Sequence, residues 1–321
     1  MPLLLFDLDG TLIDVSGSYD FAVAQTVRLF CERVAGLRVE GDLVTSGELA
    51  ALRSAGGFNN DWDLAAGLTI WAVDRHKGRR SAGALSRAVY GGLSTAIDGI
   101  RKAGGGLAGL GGFVEQSSER EVGHDGSTIG TSRIVRIFQE VYLGEQFRAV
   151  YGTPNEFWQG PAACRRERPL VSGAVLEDLV RRGSVGVVTG RPRLEAELAV
   201  SMLGEWLSPK VVVSDDDLVD ASGRHRPEWR KPAGEPLRMA LEQIGGADGE
   251  VAIYLGDLPD DVVAVKNAGR LTGRRIHSIG CAYGAADAGG RADLLQSVGA
   301  DRVVLKSDEL PAVVDELLAS S

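Results

Sequence analysis

Cysteine is scarce: Cys31, Cys164 and Cys281 are the three in 321 residues, far apart and without a CxxC pair. This excludes a disulfide framework and a paired-thiolate zinc site, and it fits a reducing cytoplasm. Long apolar runs are missing as well. No stretch reaches the ~20 residues that a membrane span needs, and the opening Met-Pro-Leu-Leu-Leu-Phe meets Asp7 too soon for a signal peptide. A cytosolic chain with no membrane partner is expected. There is no excess of positive charge either. A net charge of −9 opposes long-range attraction to nucleic acid or anionic membrane, although a local basic pocket can still bind one phosphate. His124, His225 and His277 show no metal-ligand spacing, and no repeat of solenoid length is visible.

The composition that remains, 44% hydrophobic and 25% charged, suits a soluble protein with a sizeable core. The length favours two domains of about 100 to 200 residues each. Residues 3–6 form a continuous apolar run broken by Asp7, Asp9 and Gly10, the pattern of a buried strand that delivers carboxylates at its exit. After about residue 168, short apolar runs at 185–188, 211–213, 251–255, 276–279 and 303–305 alternate with helical stretches. The expected fold is α/β, a Rossmann-like parallel sheet over 1–14 and 168–321. Ligands of such sheets sit beyond the carboxyl ends of the strands, where Asp7, Thr189 and Asp257 fall.

Across 15–167 the strand signal fades. Helical spacing replaces it at Val23, Val27, Phe30 and Val34, at Leu85, Val89, Ile97 and Ile100, and at Ile134, Phe138 and Val141. This reads as an inserted, mainly helical domain. Residues 104–112 are so glycine-rich that a packed helix is not expected there, and 123–130 continue the theme. A surface connector is favoured over a substrate lid.

The segment Phe6-Asp7-Leu8-Asp9-Gly10-Thr11-Leu12-Ile13-Asp14 sets two carboxylates on one side of an extended chain. Alone, this also suits a strand end with turn-forming residues. Three further segments follow in order: Val187-Val188-Thr189-Gly190, then Lys231-Pro232 with Glu235 and Pro236, then Tyr254-Leu255-Gly256-Asp257-Leu258-Pro259-Asp260-Asp261 with Lys266-Asn267-Ala268-Gly269. Together they resemble the four motifs of the haloacid dehalogenase superfamily, and 299–304 resembles its last core strand. The third motif lacks the second proline that the family often has near Ala233 or Gly234. Arg230, next to Lys231, is an alternative phosphate contact.

The resemblance implies a phosphatase-like enzyme with a cap inserted between the first two motifs, in a small subfamily of unknown substrate. It also implies roles that physical chemistry supports. Asp7 attacks phosphorus, with Mg²⁺ among Asp7, Asp9, Asp257 and Asp261 to compensate the negative charge. Asp9 gives a proton to the leaving group and later takes one from water. Thr189 and Lys231 stabilise the phosphoryl oxygens, with Gly190 beside them. The acidic segment after Gly256 also suits a helix N-terminus. The expected partner is a small phosphorylated metabolite, and the oligomeric state carries no sequence signal.

In this superfamily the cap usually selects the substrate. Its densest polar and aromatic cluster is Asn59, Asn60 and Trp62, where amides suit substrate hydroxyls and the indole suits a ring. The same residues suit an N-cap at Asn60 that starts a helix through Trp71, and this reading is preferred. The run Arg75-His76-Lys77-Gly78-Arg79-Arg80 reads as a cationic helix end. Asp9 and Asp257 speak against a dehalogenase. A phosphonate hydrolase would need an imine-forming lysine from a cap that holds only Lys77 and Lys102. A sugar phosphomutase would keep every core residue named, and a non-catalytic binding or regulatory protein on the same fold is the alternative of another class.

Overall fold

Strand β1 (Leu3–Phe6) is apolar at every position and buried throughout. The short β2 (Ile13–Asp14) follows it. In the computed structural model, which describes residues 1–58, 60–78, 84–86, 92–124, 132–245 and 250–320, the chain divides into two units. One comprises Met1–Val15 and Arg168–Ser321, the other Ser16–Glu167.

The second unit is mainly helical. It contains α1 (Ser16–Leu29), which ends in a π-type turn at Phe30–Val34, then β3 (Val39–Glu40), α2 (Ser46–Ser54) and α3 (Asp61–Lys77). Next come β4 (Leu85–Ser86), α4 (Leu93–Lys102), α5 (Gly106–Leu110), α6 (Gln116–Val122), α7 (Arg133–Leu143) and α8 (Phe147–Tyr151). Helix α1 packs on α7 and α3. The periodic residues Val23, Val27 and Phe30 are buried on α1 and its terminal turn, and Ile134, Phe138 and Val141 are buried on α7. Leu85 departs from the helical expectation: it lies in a strand and pairs with Val39. Val89 falls outside the described residues, as do 125–130 of the second glycine-rich stretch.

The first glycine-rich stretch also corrects an expectation, because it forms α5 and packs. The N–H of Gly106 donates to Gly56 O at 2.8 Å. A Cβ at Gly105 or Gly106 would run into the backbone of Gly56 and Gly57, so glycine here permits close backbone approach instead of preventing a helix. Further along, Glu140 is completely buried. Its carboxylate accepts the backbone N–H groups of Glu156 (2.9 Å), Phe157 (2.6 Å) and Trp158 (3.0 Å), and Arg136 Nε donates to it at 2.6 Å. Burial of a charge is tolerable when it is bonded this fully.

The chain returns through β5 (Arg168–Pro169), which pairs antiparallel with β2, so the insertion leaves and re-enters side by side. The remaining elements are α9 (Gly173–Arg182), β6 (Ser184–Val188), α10 (Arg193–Ser201), β7 (Val211–Val213), α11 (Glu235–Ile244) and β8 (Ala252–Gly256). They end with α12 (Pro259–Thr272), β9 (Ile276–Cys281), α13 (Ala288–Ser297), β10 (Arg302–Val304) and α14 (Leu310–Ala319). Six strands form one parallel sheet in the order β10-β9-β8-β1-β6-β7. The expected apolar runs thus become strands to within a residue or two.

Alternation along β1 makes the sheet two-sided. Leu4 and Phe6 enter one core with Leu176 and Leu179 of α9 and Val314 and Leu317 of α14. Leu3 and Leu5 enter the other with Leu237 and Leu241 of α11 and Ala264 and Val265 of α12. Each buried leucine, valine or phenylalanine among them contributes about 1.5–3 kcal/mol, which holds the central strand in register between β6 and β8. This is a Rossmann-like α/β core.

Candidate active site

Register determines where the motifs meet. Phe6 lies opposite Val187 of β6 and Leu255 of β8, so the residues that follow all three strands emerge at one edge of the sheet. The Asp7 N–H donates to Leu255 O at 2.8 Å, and the Thr189 N–H donates to Val213 O at 2.9 Å. After β1 the chain turns tightly: the N–H groups of Leu12 and Ile13 both donate to Leu8 O at 2.9 Å, and Leu8, Leu12 and Ile13 are buried in the core. Gly10 sits in this turn at φ +74°, and a Cβ there would strike the Asp257 carboxylate. Glycine is therefore required both by the backbone and by space.

Asp7 is buried and accepts a hydrogen bond from Lys231 Nζ at 2.7 Å. The same ammonium donates to Asp261 Oδ1 at 2.7 Å and to the Tyr254 hydroxyl at 3.0 Å. Tyr254, buried on β8, donates in turn to Asp261 Oδ1 at 3.0 Å. Asp261 stands in the first turn of α12, where its Oδ2 accepts the Leu258 N–H at 2.9 Å. It therefore serves the helix N-terminus and the site together.

Burial pushes the Asp7 carboxyl up to about 7 against the pull of Lys231, with Asp261 and Asp9 adding to the rise. Burial, then Asp261 and Asp7, hold Asp257 well above the usual carboxylate range. Burial disfavours the Lys231 charge, yet Asp261 and Asp7 attract it strongly enough to hold the ammonium well above its ordinary value. Too much negative charge is gathered in too little water.

One oxygen from each of Asp7, Asp257 and Asp261 lies within 4.8 Å of the others. Asp257 Oδ1 is sealed from solvent and has no hydrogen-bond partner, while Arg291 Nη1 donates to Asp257 Oδ2 at 3.1 Å. An orphaned carboxylate oxygen beside two more carboxylates fits a hard divalent cation. Asp9 lies outside this group. Arg191 Nε donates to its Oδ1 at 2.9 Å and to its Oδ2 at 3.2 Å, and Nη2 donates to Oδ1 at 2.5 Å. The Asp9 carboxylate, expected beside the other ligands, is here bonded to a planar guanidinium that matches both of its oxygens.

Thr189 is buried, and its hydroxyl oxygen accepts the Arg191 N–H at 3.1 Å, which leaves the hydroxyl proton to donate elsewhere. Gly190 between them is exposed, with open space where a side chain would be. Arg230 donates to Asp215, with Nε at 2.6 Å and Nη2 at 2.8 Å.

In the helical unit, Asn60 caps α3. Its Oδ1 accepts the Asp63 N–H at 2.8 Å and its Nδ2 donates to Asp63 Oδ2 at 2.7 Å, so both side-chain groups are engaged. Trp62 is buried. Asn59 lies outside the described residues, as do Arg79 and Arg80. Helix α3 runs to Lys77, past the expected Trp71, and ends on the cationic run. There Arg75 stacks on Trp71 at 4.0 Å and Lys77 pairs with Glu121 at 2.6 Å. His124, to which the sequence assigned nothing, bridges Ser132 and Asp63 at 2.8 Å each.

Sequence reasoning passed over Arg191, Tyr254 and Arg291. Arg191 directly follows the Thr-Gly pair, and Tyr254 stands inside the fourth motif, so adjacency was an available signal for both. Arg291 on α13 had none.

A Rossmann-like sheet whose carboxyl edge gathers an aspartate pair, a threonine, a lysine and a second acidic group defines a class of hydrolases. The haloacid dehalogenase-like hydrolase family model matches residues 1–269, and the chain belongs to that family. It is 27% identical over 270 residues to an imidazoleglycerol-phosphate dehydratase of Phytophthora nicotianae, a match spanning 83% of this chain and 41% of the relative. It is 38% identical over 100 residues to the pyrophosphatase PpaX of Bacillus cereus, spanning 30% of this chain and 41% of the relative. The chain thus covers under half the length of these curated relatives. Among solved structures, phosphatase Tt82 from Thermococcus thioreducens matches at TM-score 0.58 and 24% identity, over 87% of this chain and 92% of that one. A structural-genomics target matches at TM-score 0.68 and 19% identity over 100% of both chains. These two likenesses speak for the fold.

Proposed function

We propose that the protein is a Mg²⁺-dependent phosphatase that removes the phosphoryl group of a small metabolite by way of an aspartyl phosphate on Asp7. The observation that carries this reading is the buried Asp7 carboxylate, bonded to Lys231 and grouped with Asp257 and Asp261 at the carboxyl edge of the sheet. The pyrophosphatase among its curated relatives points the same way.

On this reading Asp7, Asp257 and Asp261 hold the cation. Bound there, Mg²⁺ supplies charge neutralisation for a carboxylate attacking a phosphoryl group. Asp7 presents a carboxylate oxygen to phosphorus, and desolvation keeps that oxygen reactive. Lys231 bridges Asp7 and Asp261 and offers a fixed positive charge to the phosphoryl oxygens, and Thr189 offers its hydroxyl proton. Asp9 carries the proton, first to the leaving oxygen and then from the water that cleaves the aspartyl phosphate. Arg191 can only donate to Asp9, so it stabilises the Asp9 carboxylate left once the proton has passed to the leaving oxygen. Catalysis is assigned to the α/β unit, and choice of substrate to the inserted helical unit.

A panel of phosphorylated metabolites assayed for phosphate release tests the reading. Release should need Mg²⁺ and vanish in Asp7→Asn, whose amide is a poor nucleophile and a poor ligand. Comparable turnover by that variant would overturn the mechanism. An isomeric phosphate ester formed without free phosphate would point to a phosphomutase.

A further inference from the structure

Arg291 lies on α13, beyond the residues that the family model matches. Its Nη1 donates to Asp257 twice, to the backbone oxygen at 2.7 Å and to Oδ2 at 3.1 Å. The two bonds fix the carboxylate relative to its own backbone. They also make its oxygens unequal, since Oδ2 is engaged while Oδ1 is buried without a partner. The absence of a side chain at Gly10 provides the room in which this carboxylate lies.

We infer that Arg291 is a positioning residue for the cation site: it holds Asp257 so that a single oxygen, Oδ1, is presented to the divalent ion. The inference rests on the proposed cation site at Asp7, Asp257 and Asp261. Its physical basis is that a ligand already oriented by an outer partner loses less freedom when the ion binds, and such partners are typically worth 10- to 100-fold in affinity. An arginine near a cation site also repels the ion. Removal of its charge alone would strengthen binding to three clustered carboxylates. Orientation and charge therefore predict changes of opposite sign.

The test is a Mn²⁺ titration of the full chain, with the free ion read by electron paramagnetic resonance, beside melts recorded without metal. Arg291→Met should bind Mn²⁺ about 10- to 100-fold more weakly than the parent protein. Arg291→Lys, which keeps a charged donor on a stem one atom shorter, should recover part of the loss. Arg291→Gln is neutral and too short to reach Asp257, and it carries the same expectation as Arg291→Met should that variant fail to fold. Equal or tighter binding by a folded Met or Gln variant would overturn the positioning role while leaving the cation site standing. An unmodified chain that binds no Mn²⁺ would overturn both.

Discussion

Arg191 and Asp9 stand 182 residues apart in sequence and meet as a two-pronged pair, with Nε at 2.9 Å and Nη2 at 2.5 Å from Asp9 Oδ1. The contact joins the first motif to the second. The guanidinium is buried and the carboxylate half-buried, so the pair bears on stability as well as chemistry.

Asp9→Asn should therefore show two effects. Both phosphoryl transfer and hydrolysis of the aspartyl phosphate should slow by about 10² or more if Asp9 carries the proton. The fold should lose roughly 1–3 kcal/mol because a buried guanidinium loses its charged partner. Pre-steady-state kinetics and melts on the same preparation measure both. Unchanged rates with a lowered melting temperature would leave Asp9 a structural partner of Arg191 alone.

On the proposed function, protons and cations compete for Asp7. Without cation, the unfolded chain ionises Asp7 from about 3.8 while the folded chain keeps the proton up to about 7. This residue's contribution to stability therefore falls as pH rises through that window, and is fully present below it. A cation that replaces the proton reverses the penalty, so Mg²⁺ should raise the melting temperature more at about pH 8 than at about pH 5. An increment that does not change with pH would exclude Asp7 from the ligands.

Asn60 separates capping from recognition. With both its groups bonded to Asp63, Asn60→Ala should cost about 1 kcal/mol in stability and leave kcat/KM unchanged for any substrate. A drop in kcat/KM for the metabolite, with an aryl phosphate unaffected, would return Asn60 to the binding site.

Glu140 makes the helical unit sensitive to a single charge. Glu140→Gln presents an amide to three backbone donors and an arginine, and it should lower stability by about 3 kcal/mol. The denaturant midpoint should fall while the slope stays constant. A loss below about 0.5 kcal/mol would mean that the segment 156–158 has another anchor.

The sequence by itself determined the sheet and the residues at its edge. Strands buried on both faces must be apolar throughout, and β1, β6 and β8 read as continuous runs for that reason. The carboxylates after β1 and β8 and Thr189 after β6 were legible because short-range order in the chain sets what leaves each strand, and Lys231, which follows no strand, was legible through the resemblance of its motif. The Asn60 cap was legible too, since a cap bonds only three residues ahead. Tertiary structure decided what distance in sequence hides. It turned Asp9 to Arg191, drew Arg291 to Asp257 from a helix without any motif, and engaged Arg230 with Asp215. It also packed a glycine-rich stretch as α5, because the opposing backbone at Gly56 and Gly57 leaves no room for a Cβ. Side-chain pairing and close backbone approach depend on which elements the folded sheet brings together, and local periodicity holds no record of that.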